Sequence, residues 1–171
     1  MSYFNLFPTI IYDPKGDGSA KLATNIMKRV RMRANMKKNV VMLDQYDVKE
    51  NETPEIVADK HHGSPYYHWV IMLINDRADV NHDWVKSTRQ LQKYLLSKYT
   101  ETQLTEPHHY EISQTSGDIT TKIEVENTTY PSATIVTNYE YEVALNDSKR
   151  KIDLLRNEYL GFFTEEFANL I

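Results

Sequence analysis

The spacing of apolar positions changes several times along the chain, and each change predicts an element. The first dozen residues read as extended, with Phe4, Leu6, Ile10, Ile11 and Tyr12 set around Pro8. Residues 13–18, Asp-Pro-Lys-Gly-Asp-Gly, are turn chemistry. Leu22, Ile26 and Val30 then recur at four-residue spacing, which predicts a short helix. Arg29, Arg31 and Arg33 alternate with Val30, Met32 and Ala34, so the chain is expected to become extended there. Residues 40–43 and 46–48 are the next strand candidates.

The middle of the chain is the most clearly punctuated. Thr53 suits a helix N-cap, Pro54 the first helical position and Glu55 the positive end of the helix dipole. Val57 and Ala58 should face inward, and Gly63 should end the helix. Ser64-Pro65 repeats the signal and opens a second helix to about Ile74. Trp69 to Ile74 are six consecutive apolar residues, so this helix needs cover on more than one side. Residues 75–76 and 79–83 are loop chemistry. Ser87 and Gln90 form a capping box for a third helix, with Leu91, Tyr94, Leu95 and Tyr99 on one face.

Beyond residue 105 the period becomes two. Tyr110 and Ile112, then Thr121, Ile123 and Val125, alternate with polar residues on either side of Ser116-Gly117-Asp118, which predicts a hairpin. Residues 135–143 alternate again and predict a long strand with one polar face. From Asn146 a helix is expected, with Ile152, Leu155, Tyr159 and Phe162 on one stripe. Gly161 would break it, and Thr164 would cap a last turn. The fold class is therefore α+β.

Charge sharpens this picture more than composition does. The 171 residues carry 20 Lys+Arg and 24 Asp+Glu, a net of −4. Yet Gly18 to Leu43 holds seven basic residues and no acid, which leaves −11 on the remainder. A basic arm on an acidic body suits multi-partner or self-complementary contacts. Cysteine is absent, which excludes disulfides, thiolate catalysis and Cys-ligated metal. Five glycines without a cluster argue against a phosphate-cradling loop. The first sixteen residues lack a basic region followed by an apolar run, so no signal peptide is expected. The longest apolar run is also far short of the roughly 20 residues that span a bilayer, and a soluble, intracellularly made protein is expected.

Catalytic chemistry finds little support. Neighbouring histidines at 61–62 and 108–109 diverge, by roughly 100° on a helix or to opposite faces of a strand. Neither pair is a helical metal clamp, and His68 and His82 could join them only through folding. No serine sits in a nucleophile elbow. No enzyme, cofactor or metal site is therefore expected. Twelve tyrosines and two tryptophans suit protein interfaces, with Tyr66, Trp69 and Trp84 crowding the middle. Lys149 and Arg150, with Lys151, would load positive charge onto the first turn of the last predicted helix, which suggests an acidic neighbour.

Two resemblances follow from these residues. Tyr46-Asp47-Val48, Asn51-Glu52-Thr53, Val57-Ala58, Gly63 and Ile74-Asn75 resemble the LysM module in order. They depart from it at Asn51, where LysM has Gly, in a longer first helix, and in lacking an evident closing strand. A second resemblance covers nearly the whole chain. It rests on residues 7–13, 46–48, 52–55, 63–65, His68 to Asp76, Asp83-Trp84, 137–142 and 149–160. These resemble the baseplate wedge subunit, the wedge protein fifty-three family, of T-even-like contractile-tailed bacteriophages. That resemblance implies a structural virion protein, assembled in the host cytoplasm. It implies a LysM-like core with arms that bind other wedge subunits, and possibly hub or sheath-initiating proteins, and help join wedges around the hub. Neither nucleic acid nor membrane is implied. The rival reading is a LysM-type module for peptidoglycan N-acetylglucosamine, with its groove between the 49–54 loop and the segment after Ile74.

The expected organisation is an arm at 1–43, a LysM-like core at 44–86, a helix and linker at 87–105, and a hairpin, strand and helix at 106–171. Arms without a core of their own are expected to order on neighbours. The candidate interface residues are Arg29, Arg31, Arg33, Tyr66, Trp69, Trp84, Lys149 and Arg150.

Overall fold

A computed structural model describes residues 3–28, 41–115, 117 and 120–171, which fall into two units. One is discontinuous, Met1–Trp84 with Arg150–Ile171; the other is Val85–Lys149. Helices and antiparallel strands occupy separate stretches of chain, an α+β fold.

The first unit is built around strand β3 (Leu43–Asp47), helix α1 (Pro54–His62), helix α2 (His68–Ile74) and strand β7 (Lys151–Leu155). Thr53 caps α1 by accepting from Ile56 N, and Gly63 ends it at φ 72°, a left-handed conformation that glycine adopts without strain. A 3-10 turn at Pro65–Tyr67 precedes α2, so the helix expected to open at Ser64-Pro65 starts at His68 instead. Strands β3 and β7 pair antiparallel over their full lengths, from Leu43 opposite Leu155 to Asp47 opposite Lys151. The ladder continues at both ends through Arg156 N to Met42 O and Val48 N to Arg150 O, each at 3.0 Å.

Strand β7 corrects the helix expected from Asn146 through Phe162. Ile152, Leu154 and Leu155 are buried against β3 and α2, and β3 offers a ladder that no local pattern could disclose. Lys149, Arg150 and Lys151 consequently do not open a helix. The last helix, α7 (Asn157–Leu170), runs unbroken through Gly161. Thr164 does not cap a new turn; its hydroxyl donates back to the Gly161 carbonyl at 2.9 Å.

Five of the seven residues of α2 are buried, and the chain itself supplies the cover. Trp69 lies 4.6 Å from Phe167 between ring centroids and 5.5 Å from Tyr3. Phe7, Leu43, Val70, Ile74, Leu155 and Phe163 complete this core. The first few residues and the last helix are thus part of the interior, rather than arms waiting for a neighbour. Aromatic side chains too sparse to form a stripe locally converge from three separate segments.

Over the described part of the helix expected at 22–30, strand replaces helix at Lys21–Thr24. Strand β2 (Lys21–Thr24) pairs antiparallel with β1 (Thr9–Tyr12), and Ile11 stands opposite Leu22. The extended stretch expected at Arg29–Ala34 lies outside the described residues.

The second unit holds helix α4 (Thr88–Lys98), the short helix α5 (Glu101–Leu104), strands β4 (Pro107–Ser113), β5 (Lys122–Val125) and β6 (Thr134–Thr137), and helix α6 (Asn138–Ser148). A further turn of helix, α3 (Val80–Asp83), belongs to the first unit. The Ser87–Gln90 capping box opens α4 as expected. The hairpin expected around Gly117 is β4–β5, and β6 adds on the other side of β4. The long strand expected at 135–143 is corrected: it stops at Thr137 and becomes α6. Thr137 accepts from Glu140 N, and Glu140 accepts from Thr137 N, which fixes the first helical turn. The buried residues of α6 are Glu142 and Asn146. A helix whose inward face is polar leaves no apolar period to read.

Candidate partner interface

The β1–β2 hairpin is held at its root and bare along its length. Phe7 anchors one side in the core, Asn25 N donates to Pro8 O at 2.8 Å, and the Lys28 ammonium donates to the Ile171 carbonyl. At the tip Asp13 accepts from the backbone N–H groups of Lys15, Gly16 and Gly18. Gly16 and Gly18 take positive φ there. Between root and tip every residue of β1 is exposed, and on β2 only Ala23 is half-buried. Ile11 is 77% exposed and its cross-strand partner Leu22 is 72% exposed. Isolated two-stranded ribbons are marginal in water, and contiguous exposed apolar surface marks contact sites.

The three-stranded sheet of the second unit is also two-faced. Residues directly opposite across an antiparallel pair share a face. Tyr110 stands opposite Val125 and Ile135, and Ile112 opposite Ile123. These five apolar side chains therefore form one face, and none of them is buried. The other face pairs Glu111 with Glu124 and Ser113 with Lys122. His109 Nε2 lies 2.9 Å from the Glu111 carboxylate, and His109 Nδ1 lies 2.8 Å from His108 Nδ1. His108 in turn stacks on Tyr141 at 3.8 Å between centroids.

The candidates named from sequence are dispersed. Arg29, Arg31 and Arg33 lie outside the described residues. Tyr66 is exposed on the 3-10 turn. Trp69 and Trp84 are interior. The Trp84 indole N–H donates to the Glu52 carbonyl at 2.7 Å, and the Arg77 guanidinium lies 5.1 Å from its ring. Arg150 donates to the Val48 carbonyl at 3.2 Å and lies 3.6 Å from Glu50. Trp84 and Arg150 thus converge on the 48–52 turn from inside the first unit. Lys149 is half-buried at the end of the second. The two apolar surfaces described above were not singled out. Alternation in β4 and β5 was legible, but only the register shows that five apolar side chains meet on one face, where Ile123 and Ile135 are exposed and Tyr110, Ile112 and Val125 half-buried.

The 49–54 loop is closed around Glu52, whose buried carboxylate accepts from Tyr46 Oη at 2.8 Å, Lys49 N at 2.9 Å and Lys60 Nζ at 2.6 Å. Burial acts to raise the Glu52 pKa, but these three donors outweigh it and hold the carboxyl below its ordinary 4.5. Burial, then the Glu52 carboxylate, pushes the Tyr46 phenol up to about 12. His61 Nε2 donates to Leu155 O and His62 Nδ1 to Asn157 Oδ1, so this pair ties α1 to the end of β7 and the start of α7. Among the described residues no group of three or more His, Asp or Glu is placed to hold a metal ion. No helix among them is long and apolar enough to cross a membrane.

No protein of curated function matches the chain. A family model, base plate wedge protein 53, matches residues 3–131. That span runs from the aromatic N-terminal turn through the hairpin, β3, α1, α2 and the first two strands of the three-stranded sheet. The chain belongs to the base plate wedge protein 53 family, structural proteins of the phage tail baseplate.

Proposed function

We propose that the chain is a non-catalytic joint of the baseplate wedge, binding other wedge subunits and helping to join wedges around the central hub. The observation that carries this reading is the bare β1–β2 hairpin, rooted in the core by Phe7 and followed by a run of basic residues without an acid. A rigid root, an uncovered apolar ribbon and one-signed charge are what a docking arm requires, and arginine forks suit carboxylates at a subunit interface. Arg29, Arg31 and Arg33 are the residues proposed to meet that acidic surface, with Tyr66 as a separate exposed anchor.

The test is reconstitution with purified wedge proteins of the same phage. Replacing the three arginines by alanine should leave the melting temperature nearly unchanged and weaken co-assembly. The remaining association should be less sensitive to added salt than that of the wild type. Unimpaired co-assembly would remove the arm from the interface.

One observation favours a second reading. Strand β7, more than a hundred positions further on, supplies an antiparallel partner for β3, where the LysM resemblance had no evident closing strand in sequence. Glycan binding would then use the 49–54 loop. In that loop Glu52 is buried and already engaged by Lys60, Tyr46 and Trp84. We therefore read the module as scaffold, and titration with chitin oligomers should produce no heat of binding.

A further inference from the structure

At the seam between the end of α1 and the start of α7, one backbone carbonyl fixes the direction of every hydrogen bond. The His61 carbonyl can only accept, and Asn157 Nδ2 donates to it at 2.7 Å. The other end of that carboxamide, Oδ1, therefore faces the His62 ring as an acceptor. His62 Nδ1 must then carry the hydrogen that bridges the 2.7 Å between them. A neutral imidazole holds one such hydrogen, so the lone pair of His62 sits on Nε2. That nitrogen is buried and has no hydrogen-bond partner among the described residues. The titratable and charged groups around the ring are Asp59 and His61 on α1, Tyr67 on the 3-10 turn, and Arg156 and Glu158 on either side of Asn157. The His61 ring lies at 4.7 Å and the Tyr67 ring at 5.9 Å between centroids. Arg156 is paired with Asp44 at 2.8 Å, and Asp59 and Glu158 are exposed.

We infer that the His62–Asn157 contact is a proton-operated latch: the neutral ring holds the first turn of α7 against the end of α1, and the protonated ring lets it go. A second proton has only Nε2 to occupy. It places a charged N–H where no acceptor stands, which costs more than the single bond to Asn157 returns. The ring relieves that cost by turning out to water, and Asn157 loses its partner. The two helix ends oppose each other here, since the C-terminal end of α1 favours a cation and the N-terminal end of α7 disfavours one. Burial decides the balance. It holds the His62 pKa below its ordinary 6.5, opposed by the Asn157 hydrogen bond and assisted by neighbouring His61. As pH falls the unfolded chain takes up this proton first. The latch therefore contributes fully above about pH 6.5, and its contribution is lost as pH falls through the folded value. Release is a hinge motion and not a detachment, because Arg156 N stays bound to Met42 O at the end of the β3–β7 ladder. Beyond that hinge α7 carries Phe163 and Phe167, whose rings lie 6.2 and 4.6 Å from Trp69. Acid thus loosens the helix that covers Trp69. The latch lies wholly within the first unit and does not depend on the wedge reading.

The test is an NMR titration of the full chain from about pH 8 to about pH 4.5, a window that spans the ordinary histidine range. Glu52, held below 4.5, stays ionised throughout it. At the neutral end the His62 ring should carry its hydrogen on Nδ1 with Nε2 bare. As acid is added, three signals should move with one midpoint below the ordinary histidine value: the His62 ring, the amides of the first turn of α7, and the Trp69 indole N–H. His62→Asn keeps a donor near the place of Nδ1 and cannot titrate, so the α7 and Trp69 signals should lose that acid-induced shift. Asn157→Asp sets a carboxylate beside the ring, and His62 should then bind its proton at least about tenfold more tightly. A hydrogen on Nε2 at neutral pH would overturn the inference. So would a His62 titration that leaves the α7 amides and Trp69 unmoved, or a His62→Asn protein that keeps the wild-type shifts. Should His62→Asn fail to fold, Asn157→Asp decides, and an unchanged midpoint there rejects the latch.

Discussion

Asn75 and Asn146 perform one task in different units. Each uses a carboxamide to grip a backbone peptide far away in sequence. Asn75 Nδ2 donates to the carbonyls of Ile71 and Asp153, and its Oδ1 accepts from Asp153 N at 2.9 Å, which locks the end of α2 to β7. Buried Asn146 accepts from Lys86 N and donates to Lys86 O, which clasps the two ends of the second unit together. Removing one carboxamide leaves partly buried backbone groups without partners. Asn75→Ala should cost about 1–3 kcal/mol, read from the urea midpoint. Asn51 has a different role. At φ 64° it stands in the left-handed region, where asparagine is tolerated and glycine unstrained. Glu52 gives the chain an acid-sensitive point. Its folded-state pKa lies below 4.5, so below that pH the unfolded chain binds more protons at this site. Its contribution is complete above about pH 4.5 and is lost as pH falls through the folded value. Glu52→Gln should therefore be less stable than the wild type at neutral pH, with the gap closing in acid. Urea midpoints of the two proteins at pH 7 and pH 3 check this.

At the scale of elements, most boundaries set by caps were legible and most set by distant pairing were not. Thr53, Gly63, Ser87 and Gln90 act within a few residues of themselves, and their helices form where expected. Thr137 with Glu140 is the same capping-box chemistry, but it sits inside an alternating run, and the alternation concealed it. Thr137→Ala should cost about 1 kcal/mol, seen as a lower thermal midpoint with loss of helical signal confined to α6. Strand β7 was read as helix because Ile152 and Leu155 also satisfy a helical spacing. What decides is β3, more than a hundred positions away. The candidate interface divides the same way. The basic run was legible as charge, whereas the exposed pair Ile11 and Leu22 exists only because β1 and β2 adjoin, and helical spacing had hidden β2. Trp69 and Trp84 were singled out for their chemistry, yet that chemistry serves the interior.

At the scale of the molecule, the chain leaves one unit, completes another, and returns. The units differ in how they are held. The first has a continuous aromatic and aliphatic core. In the second, the buried apolar side chains among the described residues are Val85 and Leu95, and the buried Glu142 is held by the Lys98 ammonium and, at 3.2 Å, the Tyr99 hydroxyl. Excising 85–149 and joining Trp84 to Arg150 by a short glycine-serine linker should leave the first unit folded. Both tryptophans lie within it, so an unshifted emission maximum and a cooperative unfolding transition check the outcome. The β3–β7 ladder joins residues separated by 104 to 112 positions, from Asp47 with Lys151 to Leu43 with Leu155. On the ribosome this becomes a delay. At about 5–20 residues per second, β3 emerges roughly 5–20 s before its partner has been translated. During that interval α2, with its five inward apolar side chains, has neither β7 nor α7 to cover it, while the whole second unit is being made. The nascent chain is then most exposed to chaperones and to premature aggregation, and slow codons after residue 85 would prolong that exposure.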